Sequence, residues 1–208
     1  MNGADEWSYR EWLQRTHGGT DVTGVPHESR HHVSTATTLE NLGFPVSAIG
    51  LVAAVTAFQA GYAFGPPLTA DGIDGPLTRA ALTSSGANGL AGPHFGWDEL
   101  ACSCHRPACP VLWPKRSLIL GLERLRVASY PGGLVLRSAC RCRAHNAEVG
   151  GAPDSQHIYG RAADVPPDAT AADVERLKTF GGIGYSSAYR VVHVDTRPEP
   201  TPPFRDGP

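Results

Sequence analysis

The sequence has no surplus of basic residues and no long apolar segment. Its 18 Lys and Arg residues are outnumbered by 20 Asp and Glu residues, which gives a formal net charge of -2. A chain without excess positive charge cannot neutralise a phosphate backbone, so we expect no nucleic-acid partner. No run of about 18 apolar residues occurs, which excludes a transmembrane helix. The first residues, MNGADEWSYREWLQRTHGG, also lack the basic start and apolar stretch of a secretory signal.

Glycine and proline, in contrast, are abundant, with 24 and 18 residues. This composition predicts a loop-rich α+β protein rather than a helical bundle. A chain of 208 residues has room for a small domain and a medium one. We predict an arm and linker over residues 1–35, a helical domain over 36–90, an α+β domain over 91–199 and a proline-rich tail over 200–208. The tail is expected to be extended or disordered and to stay out of the centre of a sheet.

Apolar periodicity predicts two helices in the smaller domain. The first carries a stripe at helical spacing, formed by Leu51, Val55, Phe58 and Tyr62. The second begins at Pro76, which a first helical turn accepts, and we expect three of its residues to face inward: Leu77, Ala81 and Leu82. The small residues of SSGANGLAGPH, from Ser84, predict a flexible linker to the larger domain.

In the larger domain we predict two helices and two strands. The helices are RSLILGLERLRVA, with leucines at helical spacing, and TAADVERLKTF, in which Thr170 and Asp173 mark the start. The strands are GLVLRSAC and YRVVHVDTR.

A possible metal site involves the stretch SQHIYGRAAD and the final strand. His157, Asp164 and His193 together offer two imidazoles and one carboxylate, the ligand set of a catalytic zinc ion whose fourth position is left for water. On the final strand the side chains of His193 and Asp195 point the same way, because they are two residues apart. Spacing alone leaves two interpretations open, a zinc site or two ordinary histidines each oriented by an aspartate.

Several motif blocks closely resemble the zinc D-Ala-D-Ala carboxypeptidases of the M15 type. The pattern is Ser-x-x-Arg, His-Asn, Gly-Gly, Ser-x-His-x-x-Gly-x-Ala-x-Asp and, after a glycine-rich turn, His-x-Asp. The blocks hold these residues in that order: Ser138, Arg141, His145, Asn146, Gly150, Gly151, Ser155, His157, Gly160, Ala162, Asp164, Gly184, Tyr185, His193 and Asp195. The resemblance implies an α+β zinc peptidase domain with a central antiparallel sheet, of the hedgehog/DD-peptidase type.

The resemblance also assigns roles within the site. His157, Asp164 and His193 would bind one Zn2+ per chain. Arg141 would contact the substrate or steady the oxyanion, with a structural salt bridge as its other interpretation. Three further residues complete the predicted site: Ser155 as a hydrogen-bond donor beside the metal or a turn-forming serine, Tyr185 in substrate binding, and Asp195 as the general base or as a residue that orients a ligand. Related enzymes often carry Glu or His just before the last ligand, where this chain has Arg190, Val191 and Val192.

A second resemblance concerns the smaller domain. The segments FQ and DGIDGPLTRAAL look like the peptidoglycan-binding domain found beside many cell-wall enzymes. The matching residues are Phe58, Gln59, Asp71, Gly72, Asp74, Gly75, Thr78 and Leu82. They are expected mostly to build the fold, and the partner implied by this resemblance is peptidoglycan.

Five cysteines lie between Cys102 and Cys142. An odd number leaves at least one unpaired within the chain. Zinc sites favour two to four residues between paired cysteines, whereas CSC and CRC have one, so we predict disulfides between these two loops rather than a metal site. A thiol nucleophile is a weaker interpretation.

Together these features predict a zinc-dependent D-alanyl-D-alanine carboxypeptidase that uses metal-bound water to hydrolyse peptidoglycan stem peptides. One alternative is an endopeptidase that cuts cross-links, such as a phage-type endolysin; another is a non-catalytic, zinc-containing wall-binding protein. We expect a monomer that acts outside the cell at the wall. Since no signal peptide is visible, release through a holin is one route by which it would get there.

Overall fold

The computed structural model describes residues 34–104, 106, 109 and 112–205. Most of the predicted arm and linker over residues 1–35, and residues 206–208 of the tail, lie outside the described residues. Within the described part of the chain, no helix is long and apolar enough to cross a membrane.

The first half of the described chain is helical. Its helices are α1 (Thr35–Asn41), α2 (Val46–Ile49), α3 (Leu51–Gly61) and α4 (Pro76–Asn88). Both predicted helices are therefore confirmed, and Pro76 does begin α4. Their inner faces differ from the prediction at Leu51 and Leu77, which are 43% and 53% exposed. Leu51 lies at the exposed start of α3, and on α4 the inward stripe is shifted by one residue to Thr78.

This shift follows from a hydrogen-bonded group around Gln59, which is 3% exposed. The Gln59 side-chain amide lies 2.9 Å from Asp71 Oδ1 and 3.1 Å from Thr78 Oγ1. Its carbonyl oxygen accepts a hydrogen bond of 2.8 Å from the Gly72 N–H. Burying an amide is costly unless its polar atoms are paired, so these contacts place Thr78, rather than Leu77, on the inner face.

The second half combines short helices with a small sheet. Its helices are α5 (Trp97–Leu100), α6 (Arg116–Ser129), α7 (Arg143–Glu148), a 3-10 helix (Gln156–Tyr159) and α8 (Ala171–Arg176). The predicted helices are confirmed as α6 and α8, and Thr170 and Asp173 form a capping box at the start of α8. The strand predicted for residues 133–140 is wrong, since only Ser138 forms an isolated bridge, to Asp164. The Leu136 N–H donates a hydrogen bond of 2.8 Å to the Glu99 carboxylate. In a sheet, this N–H would instead bond to a carbonyl oxygen of a neighbouring strand.

The sheet has four strands in the order β1-β3-β2-β4. They are β1 (Ala162–Asp164), β2 (Gly182–Tyr185), β3 (Val191–Asp195) and β4 (Phe204–Arg205). β3 is antiparallel to both β1 and β2, whereas β4 is parallel to β2. The predicted antiparallel sheet is therefore mixed. After β3 the chain reverses over residues 198–203, so β4 runs antiparallel to β3 and parallel to β2. The described part of the tail therefore pairs at the edge of the sheet.

One hydrophobic core extends from the helical half into the second half. The Trp97 ring centroid lies 5.0 Å from that of Phe44 and 5.4 Å from that of Phe58. The predicted flexible linker is absent, because Ser84–Asn88 continue α4 and Ala91 is fully buried. The described residues from Thr35 onward belong to one compact unit, and the division into modules at residues 90 and 91 stays a prediction.

The shared core predicts that damage to the helical half weakens the whole unit. Phe58→Ala removes a fully buried ring and should lower the free energy of unfolding by about 3–5 kcal/mol. Val52→Ala is the matched control on the same helix, because Val52 is 67% exposed, and it should change stability by no more than about 0.5 kcal/mol. Urea unfolding followed by circular dichroism and by fluorescence should show one shifted transition. Two transitions, only one of them shifted by Phe58→Ala, would contradict a shared core.

Candidate metal centre

The backbone brings three predicted metal ligands to one place. In the β1–β3 pairing Asp164 lies directly opposite His193, and side chains paired in this way share a face of the sheet. His157 comes from the 3-10 helix that precedes β1. Gly160 ends that helix in the left-handed conformation, with φ 67°, and a Cβ at this position would collide with the Trp113 carbonyl oxygen. A glycine is therefore required where the chain turns from His157 towards Asp164.

The three candidate ligand atoms form a nearly equilateral triangle. Asp164 Oδ1 lies 3.1 Å from His157 Nε2 and 3.1 Å from His193 Nδ1, and the two nitrogens are 3.2 Å apart. Tetrahedral zinc with bonds of about 2.0–2.1 Å would separate its ligand atoms by about 3.3 Å. The triangle therefore has the size needed to hold one zinc ion through three ligands and leave the fourth position open.

The hydrogen bonds of the two imidazoles make this triangle suited to a cation. His157 Nδ1 lies 2.5 Å from the Ala139 carbonyl oxygen, and His193 Nε2 lies 3.1 Å from Asp195 Oδ2. These acceptors require an N–H on each outer nitrogen, so in a neutral imidazole the nitrogen that faces the triangle carries a lone pair. Two lone pairs and a carboxylate oxygen then face one another. A metal cation between them would remove the repulsion, and the N, N, O donor set suits zinc.

Arg141 contacts the candidate ligand Asp164 through the carboxylate oxygen that does not face the histidines. Its Nη2 forms an ion pair with Asp164 Oδ2, and its Nε donates a hydrogen bond of 3.0 Å to Ser138 Oγ. Burial raises the pKa of Asp164, but its close contacts with His157 and His193 and the charge of Arg141 together hold it well below its usual value. Asp164 is therefore ionised, and Arg141 leaves Oδ1 as the oxygen that faces the histidines.

Asp195 lies behind His193, on the side away from the triangle. It is fully buried, and its oxygens accept hydrogen bonds from His193 Nε2 and from Arg197 Nε, the latter at 2.8 Å. Burial raises the pKa of Asp195, but the hydrogen bonds from Arg197 and His193 lower it well below the usual value. Asp195 thus fixes the ring of His193 through the nitrogen that does not face the triangle, a common arrangement for metal-bound histidines.

Of the other two predicted site residues, Ser155 lines the cavity beside the triangle and Tyr185 does not. Ser155 precedes the 3-10 helix and lines the cavity in front of the triangle. Tyr185 is absent from that lining; its ring stacks on Tyr189, with ring centroids 5.5 Å apart.

The cavity beside the triangle has a volume of about 730 Å³ and includes residues that the sequence analysis missed. They include Arg137 and Arg197, which line it together with Arg141 and Asp154, and Phe204 from the edge strand. Arg197 was detectable from its position two residues after Asp195, on the same face of an extended chain. Phe204 carried no such signal, because its place depends on how the tail folds back onto β2.

The predicted disulfides are absent. None of the five cysteines forms a disulfide, and Cys104 Sγ and Cys142 Sγ are 4.0 Å apart, about twice the length of an S–S bond. Instead, the sulfur atoms of Cys102, Cys104, Cys109 and Cys142 all lie within 4.8 Å of one another.

Comparison with known families agrees with this geometry. A family model described as Peptidase M15 matches residues 93–195, a segment that contains all three triangle residues. The match supports an M15-family metallopeptidase domain in this segment, and M15 peptidases are typically zinc-dependent. No curated protein matches the chain.

The support behind His193 predicts a remote effect on metal affinity. Gly182 on β2 is paired with Asp195, and a Cβ there would collide with the Asp195 carboxylate and lie 2.7 Å from Arg197 Nε. Gly182→Ala should therefore displace Asp195 and lower zinc affinity about 10–100-fold, as loss of such outer partners typically does. Gly132→Ala is the control, because a Cβ there meets nothing within 4 Å. Competition with a chromogenic chelator measures both, and unchanged affinity in folded Gly182→Ala would contradict this role.

Proposed function

We propose that this protein is a zinc peptidase that hydrolyses stem peptides of peptidoglycan, and that release of the terminal D-alanine from D-Ala-D-Ala is its main reaction. The observation that carries the proposal is the triangle of His157, Asp164 and His193, which opens onto a cavity lined by three arginines and by Asp154. When bound, zinc polarises a carbonyl group and lowers the pKa of a water molecule enough for attack on an amide.

The residues around the triangle divide into those that hold the metal ligands and those that meet the substrate. Asp195 is a positioning residue in this scheme rather than the general base, because its oxygens are engaged by His193 and Arg197 and it does not line the cavity. Arg141 holds Asp164 and lines the cavity. Its remaining N–H groups are suited to stabilise the oxyanion that develops on the scissile carbonyl.

One of the three arginines in the cavity, which also includes Asp154, supports a substrate with a free carboxylate. Arg141 and Arg197 form ion pairs with Asp164 and Asp195. Among the described residues, no acidic side chain forms an ion pair with Arg137, which lines the same cavity. A guanidinium group in that state is a ready partner for the terminal carboxylate of a stem peptide.

A second groove supports a contribution from the helical half. It has a volume of about 950 Å³ and shares Arg141 with the first cavity. One wall comes from α3, through Ala53, Thr56, Ala57 and Ala60, and the other includes Trp113, Tyr159 and Arg161. This groove favours an extended ligand that reaches from the metal triangle to the segment resembling a peptidoglycan-binding domain. It also favours the alternative reaction, cleavage of cross-links by a phage-type endolysin.

The function is tested by zinc analysis and muropeptide digestion on the full chain. We expect cleavage of uncross-linked pentapeptides with release of D-alanine, loss of cleavage on chelation, and recovery when zinc is added back. His157→Ala should abolish activity, because it removes a ligand. His94→Ala is the matched control, since His94 is an exposed histidine paired with Glu123. Cleavage of cross-linked muropeptides alone would select the endopeptidase. Zinc-loaded protein that cleaves neither substrate would indicate a wall-binding protein instead.

A substitution at Arg137 distinguishes a carboxypeptidase from an endopeptidase. If it binds the terminal carboxylate, Arg137→Ala should raise KM for the free peptide about five- to tenfold, a modest change because the side chain is exposed and its ion pair is screened. Arg137→Lys keeps the charge and should retain most of the affinity. Steady-state kinetics on peptides with free and amidated ends measure this, and an equal loss on both substrates would contradict carboxylate recognition.

A further inference from the structure

A second set of metal-ligand atoms is formed by residues outside the triangle. Cys102, Cys104 and Cys109 come from one loop, and Cys142 comes from the segment that begins α7. We propose that these four cysteines bind a structural zinc ion, in addition to the ion held by His157, Asp164 and His193.

The distances between the sulfur atoms fit one tetrahedral ion. Four thiolates at about 2.3 Å from zinc would lie about 3.8 Å from one another. The observed Cys104–Cys142 separation is 4.0 Å, and all four sulfur atoms lie within 4.8 Å of one another. Two disulfides would instead group the four sulfur atoms into two bonded pairs, with about 2.05 Å between the sulfur atoms of each pair. The atoms are thus arranged as a group of four, which is the arrangement that a zinc site with four thiolate ligands requires.

The fifth cysteine shows why spacing in the sequence argued against a metal. Cys140 and Cys142 were treated as a pair separated by one residue, which is too short for a usual zinc knuckle. In the structure they separate: Cys140 is fully buried, its N–H donates to the Leu100 carbonyl oxygen, and it does not belong to the group of four. Cys142 alone completes the group, so the ligands comprise three from one loop and one from a distant segment.

Neighbouring donors are placed to stabilise thiolates. The Cys142 N–H donates to Cys102 Sγ, and the His145 N–H donates to Cys142 Sγ, both at 3.3 Å. The Arg106 guanidinium lies 3.8 Å from Cys142 Sγ. Four thiolates around Zn2+ carry a net charge of −2, which these N–H groups and the arginine partly offset. Such outer partners commonly fix the ligands of a metal.

The position of Cys142 gives the ion a structural role. Cys142 follows Arg141, whose side chain holds the ligand carboxylate of Asp164, and it also caps α7. An ion at the four cysteines would join the loop from Cys102 to Cys109 to this segment and restrain the backbone next to Arg141.

The test counts zinc in purified full-length protein and in matched variants. We expect about two zinc ions per chain in the wild type and one in Cys142→Ala. Cys140→Ala, two residues away, is the control and should keep two. The double variant His157→Ala/His193→Ala should keep one ion, and X-ray absorption on this variant should show only sulfur ligands at about 2.3 Å, with none of the 2.0–2.1 Å nitrogen distances. Alkylation of the denatured, metal-free protein should modify all five thiols.

Several results would overturn the proposal. One zinc per chain that Cys142→Ala retains and the double histidine variant loses would show that the four cysteines bind no zinc. Fewer than five alkylated thiols would show disulfides, and iron in place of zinc would refute the assigned metal. If Cys142→Ala fails to fold, the absorption spectrum of the double histidine variant decides the question. Failure of the peptidase proposal is distinct, because it would appear as two bound zinc ions without cleavage.

Discussion

The antiparallel register of β1 against β3 is the constraint on which the candidate metal centre depends. It sets Asp164 opposite His193 and Ala162 opposite Asp195. A slip of one residue would turn one strand's side chains to the opposite face and separate the two candidate ligands. The register is held by burial, because Ala163 and its partner Val194 are both fully buried. The metal centre thus depends on close packing of small and branched residues behind the polar ones.

Charge is organised around this pairing in two layers. Asp164 faces the two imidazoles and forms an ion pair with Arg141 on its other side. His193 contacts Asp195, which in turn forms an ion pair with Arg197. Each buried charge therefore has a partner, which keeps the cost of burying it low. The same two arginines line the cavity, so the groups that hold the candidate ligands in place also form part of its wall.

Sequence patterns predicted the parts of the molecule that local rules determine. The apolar repeat of α6, the capping box of α8 and the strand carrying His193 depend on neighbours in the chain, and His157 and Asp164 share a dense motif. The missed features depend on contacts between distant segments. Phe204 reaches the cavity only because the tail folds back against β2, Thr78 faces inward because Gln59 is buried, and Cys142 meets Cys104 across 38 residues. Periodicity does not encode such contacts.

The central claim is that His157, Asp164 and His193 hold one zinc ion. Anomalous diffraction at the zinc absorption edge, on crystals of the full chain grown with zinc, tests it most directly. The account predicts a peak about 2.0–2.2 Å from His157 Nε2, His193 Nδ1 and Asp164 Oδ1. Crystals in which these three side chains keep their positions and no anomalous density lies between them would contradict it.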